Sequence, residues 1–321
     1  MSVRTGSRAS QTHAQSTAEV PPAVVGRSVW ALAWRRLRRD RMAMISLGVI
    51  VLIILLAIGA PLVAAVTGHP PNQQYRNTGL SPEGLPMPPS SKFWLGTDDL
   101  GRDILVRIAY GARISLLVGV VATGITVVTG AVVGLIAGFF GGWIDSVLAR
   151  LIDVILSLPF ILLAIALVSI TGPSLTVTIL VIGFFSWAAV ARIVRGQVFS
   201  IREREYIQAA RVIGVRPWRI MFVEILPNVM APVIVYASLL VPVVIVTQAT
   251  LSYLGLGLAP PTADWGGMLS DAQGYYTTSW WFIIFPGLAL VITTLAFNLF
   301  GDSVRDAFDP RAEQLVENWR E

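Results

Sequence analysis

The side chains that most often do chemistry are scarce in this sequence, and their spacing excludes most of what they could do. There is no cysteine, which removes thiolate nucleophiles, disulfides, iron–sulfur clusters and cysteine zinc sites. The two histidines, His13 and His69, are too few and too far apart for a histidine metal site. The single lysine, Lys92, is followed by Phe93. A phosphate-cradling loop needs Gly-Lys-Ser/Thr, so the chain is not a P-loop nucleotide hydrolase. The sequence predicts no catalytic residue, no cofactor-binding residue and no metal ligand.

Charged residues cluster in a few places. Asp98, Asp99, Arg102 and Asp103 fall between Gly96 and Ile104, at the end of a long, proline-rich stretch. Such a group either meets a soluble partner or satisfies itself as an ion-paired turn capping the next helix. The density of opposite charges favours the turn. Asp264 and Trp265 are better candidates for an outer contact, because aromatics are enriched at contact surfaces, although Trp also belongs to the membrane interfacial belt. A third stretch, from Arg192 to Arg219, holds seven arginines.

The elements that position these groups are set by hydrophobicity. Of the 321 residues, 55% are hydrophobic and 13% charged, about half the charged share of a soluble domain. A soluble fold is excluded. A helix needs about 20 apolar residues to cross the bilayer core. Six segments qualify, at about 44–66, 114–140, 151–171, 175–193, 229–251 and 281–300. They predict an all-α, polytopic membrane protein with six transmembrane helices. The first is too long and begins too late to be a signal peptide.

Arginine placement gives the orientation. Eight arginines lie in residues 1–43, five of them between Arg35 and Arg41, and Arg305, Arg311 and Arg320 follow the last span. The segment between spans five and six has none. The positive-inside rule then puts both termini and the 192–219 stretch in the cytoplasm. The net charge of +5 and the pI near 10.0 are therefore a topology signal and not a nucleic-acid footprint. The expected order begins with a disordered tail over 1–28 and a basic interfacial helix over 29–43, with Trp30, Ala33, Trp34 and Leu37 on one face and arginines on the other. That helix either lies in the headgroups with its guanidinium groups on lipid phosphate or is only a positive anchor that sets orientation. A first span over 44–66 and an extracytoplasmic loop over 67–111 follow. A five-span core over 112–301, with a cytoplasmic loop over 196–228, precedes a tail over 302–321.

The span centres carry no Asp, Glu, Lys, Arg or His. Ion-coupled carriers place such groups deep in the membrane, so a stand-alone secondary transporter or channel is the weaker reading and the driving energy comes from elsewhere. Gly130, Gly134 and Gly138 repeat through the second span, a spacing that lets another helix approach closely. Pro159, Pro232, Pro242 and Pro286 lie within spans and can kink them.

The stretch from Arg202 to Asn228 is the most informative. Helix-forming residues run from Glu203 to Ile213, with Tyr206, Ala209, Ala210 and Ile213 on one face. Gly214 supplies a left-handed stop. Pro217 suits the first turn of a second helix, which carries Trp218, Met221 and Phe222 and ends by Pro227. Two short helices meeting at a glycine hinge, with apolar groups among arginines, form a docking knob for a cytoplasmic partner.

These residues resemble the permease subunits of type I ABC importers, whose cytoplasmic loop carries a Glu-Ala-Ala pattern, a following glycine and a downstream Leu-Pro. Ala209, Ala210, Gly214, Leu226 and Pro227 match. Gln208 stands where the family usually has Glu, and Glu224 falls where an apolar residue is common. Other segments resemble the dipeptide/oligopeptide branch and its C-type permease. They are Leu95 to Asp103 with Tyr110 to Leu116, Gly141 to Asp145, Leu251 to Gly257, and Pro260-Pro261 with Asp264 to Leu269. The resemblance covers about residues 29–312.

It implies the type I ABC importer permease fold, in a bacterial plasma membrane, and import of di- or oligopeptides; relatives on the branch carry haem, glutathione or nickel complexes. The implied partners are a second homologous permease, two ABC ATPase subunits that bind ATP and Mg, and an extracytoplasmic substrate-binding protein. On this resemblance Gln208, Ala209, Ala210, Arg211, Gly214, Arg216 and Arg219 contact the ATPase. Asp98, Asp99, Arg102, Asp264 and Trp265 are the candidate contacts with the binding protein.

Overall fold

The structure, a computed structural model, describes residues 29–308; the tail expected over 1–28 and the end of the one over 302–321 lie outside them. Helices follow in the order α1 (Val29–Arg39), α2 (Arg41–Ile58), α3 (Ala60–Thr67), α4 (Ile104–Phe140), α5 (Gly142–Ser157) and α6 (Phe160–Thr171). Then come α7 (Leu175–Arg202), α8 (Glu205–Val212), α9 (Pro217–Arg219), α10 (Leu226–Tyr253), α11 (Trp265–Asp271) and α12 (Trp280–Phe308). The only extended pairing among the described residues is two isolated bridges, Leu80 with Pro86 and Thr97 with Asp103.

Five helical stretches are long and apolar enough to cross a membrane, and α5 with α6 makes a sixth if that bent pair is one span. The bend is 83°. Its cause is local: Pro159 drives Leu158 into extended backbone (φ −82°, ψ 130°) and cannot itself continue the preceding helix. The first apolar run is also divided. Helix α2 stops at Ile58, and Gly59 leads into α3 with Pro61 in its first turn.

Helix α4 has 37 residues, roughly 55 Å at 1.5 Å per residue, well beyond a hydrocarbon core of about 30 Å. It therefore begins at Ile104, ahead of the apolar run, and carries Arg107 and Arg113 in its first turns. Its glycine repeat lies against α7. A Cβ on Gly130 would sit 2.5 Å from Val190 Cβ, one on Gly134 2.6 Å from the Ala191 carbonyl oxygen, and one on Gly138 2.7 Å from Val198 Cβ. The two backbones touch, and only glycine permits it.

Below this seam, Arg195 of α7 grips Asp145 of α5 in a bidentate pair, Nε donating to Oδ1 and Nη2 to Oδ2 at 2.8 Å. Arg202 donates to the Gly138 carbonyl at 2.8 Å. One apolar cluster fills this arginine-rich end, built on Leu135, Val194, Ile207, Ile220, Ile225 and Val229. A second cluster, with Ile104, Ile108, Trp265, Met268 and Phe282, fills the opposite end. The bundle thus presents two built ends, a hairpin and a cap.

Candidate functional site: a docking hairpin and a cap

The hairpin starts at α8. Ile207 is its anchor, fully buried between α4, α7 and the start of α10. Ala210 packs beside it, and the Arg211 guanidinium lies 5.2 Å from the Phe139 ring centroid. The inward face therefore runs through Ile207 and Ala210, and Arg211 lies exposed at its edge. The expected face through Tyr206, Ala209 and Ile213 points outward instead; Ile213 is 78% exposed. Sequence spacing permits both faces, and the position of the Phe139 and Ile225 surfaces selects between them.

Gly214 then turns the chain with φ +79°, a conformation that costs any residue with a Cβ about 1 kcal/mol or more. Around it Val212 (87% exposed), Trp218 and Phe222 are uncovered, with Arg216 and Arg219 between them. A concave surface lined by Gly214, Val215, Arg216, Trp218, Arg219 and Val223 opens on the same side. Gln208 is turned back on its own loop, donating to the Arg202 carbonyl at 3.2 Å and to Glu203 Oε2 at 3.5 Å. A glutamate could make neither bond when ionised.

The second arm does not end at Pro227. From α9 it passes through a π-helical turn, Ile220–Ile225, straight into α10. Proline lacks a donor and crowds the carbonyl four residues back, and widening the turn accommodates both. The hairpin's second arm and α10 are one continuous helical stretch from Pro217 to Tyr253.

At the opposite end the acidic turn is folded inward. Asp98 is fully buried and accepts from the Arg102 Nε at 2.6 Å, the Arg102 backbone at 2.8 Å and the Leu100 backbone at 3.0 Å, with Arg107 Nε at 3.2 Å. Asp103 caps α4 through Leu105 and Val106 and meets His69 Nδ1 at 2.7 Å. His69 is stacked on Phe93. Arg102 also faces two carboxylates from different segments, Asp99 at 3.6 Å and Asp271 at 3.7 Å. Burial first, then the neighbouring Asp98 and Asp271 charges, pushes the Asp99 carboxyl up to about 6. Burial raises Asp271 as well.

Asp264 caps α11 through the Gly267 backbone at 3.1 Å and accepts from Gln248 of α10. Trp265 is 1% exposed, with its indole N–H on the Ile108 carbonyl at 3.1 Å. Neither Trp265, Asp264, Asp98 nor Arg102 presents a side chain at the surface, so the expectation of direct outer contact narrows to Asp99. Asp271, 44% exposed at its side chain, joins it. The chain brings Asp99, Arg102 and Asp264 together around one cleft, and Asp98 lies behind it, bonded to Arg102. Sequence spacing shows the local Asp98–Arg102 pair, and Arg107 joins it one turn into α4; Asp271, His69 and Gln248 come from distant positions with no local signal.

Comparison with known proteins accords with this geometry. Residues 130–314 match the family model described as the binding-protein-dependent transport system inner membrane component, and residues 28–83 match the N-terminal TM domain of oligopeptide transport permease C. The dipeptide transport system permease protein DppC of Alkalihalophilus pseudofirmus is 42% identical over 284 residues, 88% of this chain and 90% of the relative. The oligopeptide transport system permease protein OppC of Escherichia coli K12 is 43% identical over 288 residues, 90% of this chain and 93% of the relative. The glutathione transport system permease protein GsiD of Pectobacterium atrosepticum is 39% identical, covering 89% and 92%. Among solved structures, the inward-facing MetNI methionine ABC transporter shares the fold, with a TM-score of 0.53 at 19% identity over 63% of this chain and 96% of that one. With both family models matched and identity near 40% along most of its length, the chain belongs to the binding-protein-dependent transport inner membrane components, as a C-type permease of the dipeptide/oligopeptide ABC importer family.

Proposed function

We propose that this chain forms half of a membrane pathway importing di- or oligopeptides, powered by ATP hydrolysis on separate subunits docked at its hairpin. The observation that carries this reading is the hairpin itself: uncovered Val212, Ile213, Trp218 and Phe222 set among arginines, its second arm continuous with α10. Apolar groups so displayed need a partner. ABC ATPase subunits, holding ATP and Mg, are that partner, and a second permease of like fold completes the pathway. On this reading both termini and the hairpin face the cytoplasm of a bacterial plasma membrane, which the placement of the arginines supports.

Coupling follows from continuity. When ATP draws the ATPases together, Ala209, Gly214, Arg216 and Arg219 are carried with them, and α10 follows through the second arm, with which it is continuous from Pro217. The ATPases must hold the hairpin differently in their two states, or ATP could shift nothing. At the far end Gln248 passes the movement to the cap. An extracytoplasmic binding protein meets the rim formed by Asp99 and Asp271, which Asp98, Arg102, Asp264 and Trp265 hold in place.

Peptide cargo is supported by the dipeptide and oligopeptide relatives; glutathione, itself a peptide, is the cargo named for another. Haem and nickel complexes are the remaining alternatives. The test is affinity purification of the tagged chain from gently solubilised native membranes, with mass spectrometry of what is retained. A second permease and Walker-motif ATPases are expected. The chain recovered alone, and transporting in liposomes without ATP, would overturn the reading.

A further inference from the structure

We propose that α1 is a binding site for anionic phospholipid headgroups, with Arg35, Arg38 and Arg39 as its phosphate ligands. Position comes first. Asp40 alone separates α1 from α2, whose membrane-crossing stretch begins at Arg41. Asp40 accepts from the Met42 backbone at 2.9 Å and so fixes the corner. A helix joined to a span by one residue stays beside the end of that span.

The rotation of α1 is fixed too. Ala33 is buried, Trp30 meets Phe308 edge-on at 5.2 Å, and Arg36 donates to the Ala307 carbonyl at 3.4 Å. That side is held by α12. Trp34, Arg35, Arg38 and Arg39 are left exposed, with the Arg38 guanidinium 4.8 Å from the Trp34 ring centroid.

The charge is complementary to an acidic headgroup. Helix α1 contains no acidic residue. Asp40 is already engaged, by Met42 and the Ser303 hydroxyl. Asp302 and Asp306 on the adjacent end of α12 are outnumbered by Arg35, Arg38, Arg39, Arg41 and Arg305. Guanidinium forks match phosphate oxygens in pairs, and an indole ring beside them suits the headgroup layer. The site depends only on α2 crossing the membrane, and neither cargo nor ATPase partners enter into it.

To test it, the full chain in mild non-ionic detergent is equilibrated with micelles holding equal traces of fluorescent phosphatidylglycerol and phosphatidylcholine. The bound probe per chain is then measured. Phosphatidylglycerol should be preferred by at least about fivefold, the worth of roughly one basic residue at an anionic surface. The triple variant Arg35→Gln, Arg38→Gln, Arg39→Gln should lose the preference, and the triple lysine variant should keep much of it. No preference in the wild type, or an unchanged preference in the glutamine variant, overturns the assignment. So does full displacement of the lipid by inorganic phosphate at constant ionic strength, since the site would then take any anion. Should the triple variant fail to fold, Arg39→Gln alone is expected to reduce the preference several-fold, and no change there has the same contrary meaning.

Discussion

Gln248 of α10 donates from Nε2 to Asp264 Oδ1 at 3.1 Å, joining a membrane-crossing helix to the cap over its end. The same amide group donates to Ser252 Oγ at 2.9 Å and accepts from Ser115 of α4 at 3.2 Å. One fully buried side chain thus ties α4, α10 and α11 together. Replacing Gln248 with Leu leaves Asp264 and Ser115 short of partners in a site closed to water, which costs about 1–3 kcal/mol per orphaned group. A lower melting temperature in detergent is expected, with a smaller drop for Ser115→Ala. Equal melting of wild type and Gln248→Leu would show that the network holds nothing.

The α4–α7 seam predicts a contrast between glycines of one helix. Gly134→Val should push against the α7 backbone at Ala191 and destabilise by about 1–3 kcal/mol or prevent folding. Gly124, with no atom near its missing Cβ, should accept Val with little change. Expression level and thermal stability of the two variants decide the matter.

Two ion pairs join α5 to α7, and they are not equal. Arg195 holds Asp145 with two parallel bonds and is partly buried, whereas Arg192 and Asp153 are more than half exposed. Exposed pairs contribute about 0–1 kcal/mol. Arg195→Gln should therefore lower stability clearly more than Arg192→Gln, and a double-mutant cycle with Asp145→Asn should show the larger coupling.

The cap predicts a pH dependence. Asp99 titrates near 6 in the folded chain against an ordinary value of 3.8. Its folded form holds the proton more tightly, so the stability it contributes is complete below about 4 and lost as pH rises through 6. Asp271 is displaced in the same direction. Asp99→Asn should flatten part of the fall in melting temperature across this window and raise stability at neutral pH. An unchanged profile would remove Asp99 from that role.

The spans were legible because twenty apolar residues in a row admit few other readings. Their interruptions were legible only as types. Pro159 announced a possible kink, but an 83° break depends on Leu158 going extended and on what α6 then packs against. Pro227 read as a stop, yet the chain crosses it from a π-turn and makes the hairpin's second arm continuous with α10. The hinge at Gly214 was plain because its φ suits glycine. The cap was hidden for the opposite reason. Trp265 in a polar loop looks like a surface aromatic, and only the distant Ile108 carbonyl explains its burial.

The most direct test of the coupling account is Gly214→Val in the assembled transporter, reconstituted in liposomes with its binding protein. Valine meets no clash there but must adopt φ near +79°, so the hairpin reshapes while the bundle stands. Peptide uptake should fall at least about tenfold, the equivalent of 1.4 kcal/mol of lost coupling, while the ATPases keep hydrolysing and the chain inserts normally. Uptake equal to wild type, at the same ATP consumed per peptide, would contradict the claim that this hairpin transmits the work of ATP.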